Sequence, residues 1–122
     1  MVKEQSIHSL WSGFGIPAYD ENTVPDDAVM PYITYSVSVG SIGDPIQLSA
    51  SVWYRSSSWE EITSKVAEIE QGIDSISPPA VVIDGGRAYF TKGSPFAQRM
   101  SEPGDDMTRR VYLLVNAEFL TN

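Results

Sequence analysis

The chain has no cysteine and only one histidine, His8. The first absence removes thiol catalysis, iron–sulfur clusters, cysteine zinc sites and disulfides, and it fits a protein made and kept in a reducing cytoplasm. The second makes any Ser-His-Asp arrangement depend on one residue, and there is no Gly-x-Ser-x-Gly elbow to present a serine to it. Gly40-Ser41-Ile42-Gly43 is not that motif and no helix pattern follows it. No glycine-rich phosphate loop precedes a helix pattern either. No apolar run approaches the roughly 20 residues that span a bilayer. Residues 1–6, Met-Val-Lys-Glu-Gln-Ser, lack the basic stretch and apolar segment of a signal peptide. Positive charge is scarce: 8 Lys and Arg stand against 16 Asp and Glu, a net −8. A general nucleic-acid binder needs a basic patch to displace counterions from phosphates, so that class ranks last. The acidic balance itself reads as solubility.

What is present is enough for one domain over residues 1–122 with a single core. The organising stretch is a helix expected over residues 58–76. Ile62, Val66, Ile69, Ile73 and Ile76 recur at steps of four and three, with Trp59 one turn earlier, so they share one stripe. Ser58 and Glu61 have the spacing of a capping box. Pro78-Pro79 ends the pattern, since proline lacks an N–H and disfavours helix before it. A shorter helix is expected over residues 4–14, with Ile7, Leu10, Trp11 and Phe14 on one face, ended by Gly13, Gly15 and Pro17.

The rest alternates. Residues 18–31 form a long loop with an extended piece at 16–19. Residues 32–39 place Ile33, Tyr35, Val37 and Val39 on one side. Residues 46–55 place Ile46, Leu48, Ala50, Val52 and Tyr54 on one side, and the turn-rich 40–45 stretch joins the two as an antiparallel hairpin. Residues 80–83 and 87–92 flank Asp84-Gly85-Gly86, a hairpin signal in which both central residues are expected at positive φ. Gly93-Ser94-Pro95 breaks that run and 96–100 resumes it. Residues 108–120 put Val111, Leu113, Val115, Ala117 and Phe119 on one face with Tyr112 and Leu114 on the other, as expected of a central strand. The fold class is therefore α+β. A mostly antiparallel sheet of four to five strands is covered on one face by the central helix, with a short N-terminal helix, in the order α-β-β-α-β-β-β.

Chemistry-bearing residues are few. His8, between Ile7 and Ser9, reads as structural rather than as a base or ligand. The pairs Asp26-Asp27 and Asp105-Asp106 offer oxygen ligands but lack the spacing of a calcium loop, and they read as solvated surface. No catalytic residue, metal or cofactor is expected. Arg109-Arg110, with Arg99 on the neighbouring strand, form the one basic cluster. It reads either as cross-strand pairing with acids or as a subunit contact. Trp11, Trp59 and Tyr54 read as core. Alternation puts Trp53 on the polar face beside Arg55, either as an interface hot spot or as part of a small second core beneath the first helix. The interface candidates are Trp53, Arg55, Arg99, Arg109, Arg110, Asp105 and Asp106.

Three stretches suggest a family. A short helix runs into an extended loop ending Met30-Pro31-Tyr32-Ile33-Thr34-Tyr35. The strand Leu48-Ser49-Ala50-Ser51-Val52-Trp53-Tyr54 breaks at Ser56-Ser57-Ser58 directly into the covering helix. The strand Arg110-Val111-Tyr112-Leu113-Leu114-Val115-Asn116-Ala117-Glu118-Phe119 closes the pattern. In this order of elements the chain resembles the tail-terminator (tail-completion) proteins of long-tailed bacteriophages and the related small neck proteins of prophages. The likeness covers nearly the whole chain as a pattern, with no diagnostic residue motif. It implies a non-enzymatic virion protein without cofactor, assembled in the host cytoplasm as a homohexameric ring at the tail neck, with no membrane association. Its implied partners are its own copies, the tail tube protein and the head–tail connector, while genomic DNA passes through the lumen without specific binding. An edge strand, 80–83 or the one containing Phe96, would add to a neighbour's sheet. Loops 18–31, 40–45 and 93–106 would dock, and Asp105 and Asp106 would face the lumen. The alternatives are another neck component, such as a head–tail adaptor, or a small ligand-binding α+β domain with its pocket between helix and sheet.

Overall fold

Two strictly alternating strands carry the architecture. The computed structural model describes residues 3–37, 46–76 and 80–121. In chain order the elements are α1 (Lys3–Ser12), β1 (Ala18–Asp20), β2 (Tyr32–Tyr35), β3 (Ile46–Arg55), α2 (Glu60–Asp74), β4 (Ala80–Ile83), β5 (Gly86–Met100) and β6 (Thr108–Thr121). The fold is α+β, with six strands among the described residues in the order β1-β2-β3-β6-β5-β4. β6 pairs with the whole of β3, from Ile46 opposite Ala117 to Arg55 opposite Thr108, and with β5 on its other side. It is the central strand, as its two apolar faces implied. Tyr112 and Leu114, on the face away from the core, are half-buried.

Period two sorts the side chains. Leu48, Ala50, Val52 and Tyr54 of β3 turn to the same side as Val111, Leu113, Val115, Ala117 and Phe119 of β6, and all are buried. Both helices lie on that side. α2 packs on β3, β5 and β6 through Ile62, Ile69 and Ile73, which are fully or almost fully buried, and Val66 packs against the same cluster. Each buried isoleucine contributes about 1.5–3 kcal/mol relative to an exposed one. α1 adds Ile7 and Trp11, both at 0% exposure, and touches both β1 and β4, so the sheet curls until one helix reaches its two edges. The chain leaving α1 is anchored to α2. Lys65 Nζ donates to the Phe14 carbonyl at 2.9 Å, and Phe14 lies so close to Gly72 that a Cβ there would sit 2.6 Å from its ring. Lys92 of β5 ties to Asp74 and Glu70 of α2 at 3.2 and 3.9 Å. No helix among the described residues is long and apolar enough to cross a membrane.

Several expectations change. The sheet has six strands rather than four to five, because the extended piece near 16–19 is a true strand, β1. It pairs with β2 in parallel, Ala18 opposite Ile33, an exception within an otherwise antiparallel sheet. The antiparallel pairing of β2 with β3 holds, but β2 stops at Tyr35; Val39 and the 40–45 turn lie outside the described residues, as does Pro78-Pro79. α1 is shorter than 4–14 at its C-terminal end, and α2 runs two residues inside 58–76 at each end. The capping box does not form. Trp59 occupies the N-cap position without a side-chain cap, and the Ser58 hydroxyl accepts from Glu60 N–H at 3.1 Å, one residue short of the box geometry. In the β4–β5 turn only Gly85 has positive φ (76°); Asp84 does not. Gly93-Ser94-Pro95 does not end a strand. It makes a bulge within β5, where the four residues 93–96 stand opposite Leu114 alone.

Candidate functional site

The end of β3, the end of β5, the start of β6 and the 101–107 loop converge at one end of the sheet. The register fixes this: Trp53 is opposite Arg110, Arg55 opposite Thr108, and Met100 opposite Arg110. All seven expected interface residues lie here, but not as one patch. Arg109 and Arg110 are neighbours in a strand, so they point to opposite faces.

On the helix side, two guanidiniums share one indole. Arg99 and Arg109 lie 4.7 and 5.3 Å from the centre of the Trp59 ring, within cation–π range. Arg109 Nη2 donates to the Ser57 carbonyl at 2.8 Å and Nη1 to its neighbour's carbonyl, Thr108, at 3.2 Å. Its Nε is buried with no acceptor among the described residues. Arg99 is exposed and reaches the Thr63 hydroxyl at 3.4 Å. A hollow of about 330 Å³ opens beside them, bordered by Trp59, Met100, Ser101, Asp106 and Arg109. Trp59 was expected to be core alone; it packs against the core and also serves as the platform for both arginines.

On the other face, Arg110 lies 4.8 Å from the Trp53 ring centre, donates through Nε to the Ser51 hydroxyl at 3.0 Å, and reaches Glu102 at 3.3 Å. Trp53 Nε1 donates to the Thr34 hydroxyl at 2.9 Å, and Tyr32 and Tyr19 continue the aromatic row. This is not a second core beneath the first helix, because α1 packs on the opposite face. For Arg110, pairing with an acid is correct, although the acid comes from the 101–107 loop and not from a strand. A hollow of about 340 Å³ lies here, bordered by Tyr32, Thr34, Ser51, Trp53, Arg110 and Tyr112.

The acidic pair in the loop is divided too. Asp105 accepts from the Thr108 hydroxyl at 2.6 Å and from Met107 N–H at 2.9 Å, and Arg55 lies 3.8 Å away, while Asp106 is exposed. These hydrogen bonds, the Thr108 hydroxyl first, hold the Asp105 carboxyl below its ordinary value. A depressed carboxylate stabilises the fold fully above its unfolded-state pKa, and that contribution is lost as pH falls through the lower folded-state value. Asp105→Asn is therefore expected to flatten the fall in stability below the ordinary carboxylate range. Urea midpoints of both proteins measured from neutral to acid pH check this; parallel curves would contradict it.

His8 Nδ1 lies 2.7 Å from the Tyr35 hydroxyl, whose pKa is raised by burial and by Asp20, so the histidine is tied to the sheet. Glu4, Gln5, His8 and Ser9 border a hollow of about 530 Å³ along α1. Among the described residues, no three His, Asp or Glu side chains gather as a metal site. What this end of the molecule offers is contact chemistry, since aromatic faces and guanidiniums are the groups enriched at protein interfaces. No model of a known protein family matches the chain, and no curated protein matches it.

Proposed function

We propose that the protein is a structural component of long-tailed bacteriophage particles, a tail terminator. It forms a homohexameric ring that caps the tail tube, stops its growth and joins the tail to the head connector. The observation that carries this reading is the one-sided fold. Both helices sit on one face of the sheet, while the other face presents Tyr32, Trp53, Arg110 and Tyr112, half-buried, with no helix over it among the described residues. The order of elements in the resembling family supports the same reading. So does β4, an edge strand paired among the described residues only with β5, whose Val82 is 68% exposed. Phe96, the alternative edge, is 9% exposed within the bulge and suits this less well.

The ligand-binding alternative finds little support between helix and sheet. The hollow there, bordered by Thr63, Val66, Ala97 and Val111, is about 210 Å³, below the roughly 300–1,000 Å³ of small-molecule sites. A direct reversal of Asp105 and Asp106 would be a poor test of an acidic lumen, because Asp105 holds its own loop together. Asp106 alone is the better probe.

The reading is tested by the solution mass across a concentration series, with electron microscopy at the highest concentration and with purified tail tubes added. Six-fold rings with a central hole, or caps on tube ends, are expected. Binding to isolated head connectors without binding to tubes would instead make the protein a head–tail adaptor.

A further inference from the structure

Two exposed surfaces of this chain complement each other and cannot meet within one molecule. The first is the arginine pair on Trp59, in which Arg99 is exposed while Arg109 and Trp59 are half-buried. Arg55, Lys65, Lys92 and Arg110 each reach a carboxylate, but neither Arg99 nor Arg109 does so among the described residues. The acids of the adjoining loop are largely taken: Glu102 by Arg110, and Asp105 by Arg55 and its own turn, leaving Asp106. Met107, two residues before Arg109, is 42% exposed. The second surface is the loop between β1 and β2. Glu21, Asp26 and Asp27 are exposed and form no ion pair among the described residues, and Val29 beside them is 79% exposed. Through Glu21 and Val24 this loop borders the hollow on the open face, next to β2. Arg99 and Trp59 lie on the helix face at β5 and β6. The thickness of the sheet and strand β3 stand between the two surfaces.

We propose that the Trp59–Arg99–Arg109 group of one copy receives the 21–29 loop of a second copy. Asp26 and Asp27 face the two guanidiniums, and Val29 packs against Trp59 and Met107. Such a contact uses different patches on the two copies. A row of copies joined this way keeps one of each patch free at its two ends, and a ring uses them all. The proposal rests on the ring reading for closure, and the contact itself is tested separately.

The absence of cysteine makes the test direct. Ala28→Cys and Thr63→Cys are placed in separate chains, mixed at high concentration and oxidised. Thr63 is exposed and lies beside Arg99. A mixed disulfide dimer is expected, favoured about tenfold over either homodimer. Arg99→Glu in the T63C chain is expected to lower its yield about tenfold, and Asp26→Lys with Asp27→Lys in the A28C chain to restore it. No preference for the mixed dimer, or charge reversal without effect, overturns the contact. Rings in the microscope without the crosslink overturn the contact and leave the ring reading standing. The crosslink in open chains that never close supports the contact and overturns the ring.

Discussion

Trp11→Ala is expected to lower the free energy of unfolding by about 3–5 kcal/mol, the usual loss when a buried tryptophan is truncated. Its side chain is fully buried, and it holds α1, which touches both edge strands of the curled sheet. A domain of this size has only about 5–15 kcal/mol to lose, so the variant should be near the limit of folding at 37 °C. A second substitution separates packing from polarity. Trp11 Nε1 is buried with no acceptor among the described residues. Trp11→Phe removes that unpaired donor along with some volume, and the two effects oppose each other, so a loss of about 1 kcal/mol or less is expected. Urea unfolding followed by far-ultraviolet circular dichroism measures both. If Trp11→Ala unfolds within 1 kcal/mol of the parent, α1 is not part of the cooperative unit.

Gly93→Ala is expected to cost about 1–3 kcal/mol, the range for forcing an extra methyl into filled space. Gly93 has no positive φ, so the constraint is room rather than backbone angle. A Cβ built there stands 2.7 Å from Leu114 Cβ and 3.0 Å from the Leu114 carbonyl oxygen. Neither atom belongs to the movable end of a side chain. Leu114→Ala therefore leaves both clashing atoms in place and should not rescue Gly93→Ala, whereas Leu114→Gly removes one of them and should recover part of the loss. The parent, the three single variants and the two double variants, unfolded in urea, form two cycles whose coupling energies give the answer. Full rescue by Leu114→Ala would mean that the clash lies further out along the leucine.

The parts of this fold that were legible are those written in a strict period. Every second residue of β3 from Leu48 and of β6 from Val111 is apolar, so their buried faces could be read directly, and Tyr112 with Leu114 marked β6 as central. The α2 stripe was legible for the same reason. β1 was legible only as an extended piece near 16–19: three residues cannot show a period, and its partner, β2, pairs with it in parallel. β5 misled at its bulge. An odd number of extra residues flips the strand, so Lys92 and Arg99, one even and one odd, face the same helix. That flip brings Arg99 onto Trp59, and nothing in the pattern of 86–100 announces it. The division of Arg109 from Arg110 did follow from the two-residue period, yet treating them as one cluster obscured it. The role of Asp105 follows from its spacing to Met107 and Thr108, since aspartate hydrogen-bonds backbone two residues on.

The placement of β6 also decides when the molecule comes into being. Every other strand precedes it in the chain, yet it lies between β3 and β5. A nascent chain that has emerged only through residue 107 holds two half-sheets, β1-β2-β3 and β5-β4, with no shared strand to join them. α1 and α2 wait beside them without the apolar floor of Val111, Leu113, Val115 and Phe119. Such contacts between distant segments form slowly, after their loop entropy has been met. The arginine surface proposed to receive another copy is completed by the same event, because Arg109 belongs to β6. In the proposed assembly this separates synthesis from association: a polysome carries many growing chains side by side, and none presents a finished Trp59–Arg99–Arg109 surface until its own β6 is in place.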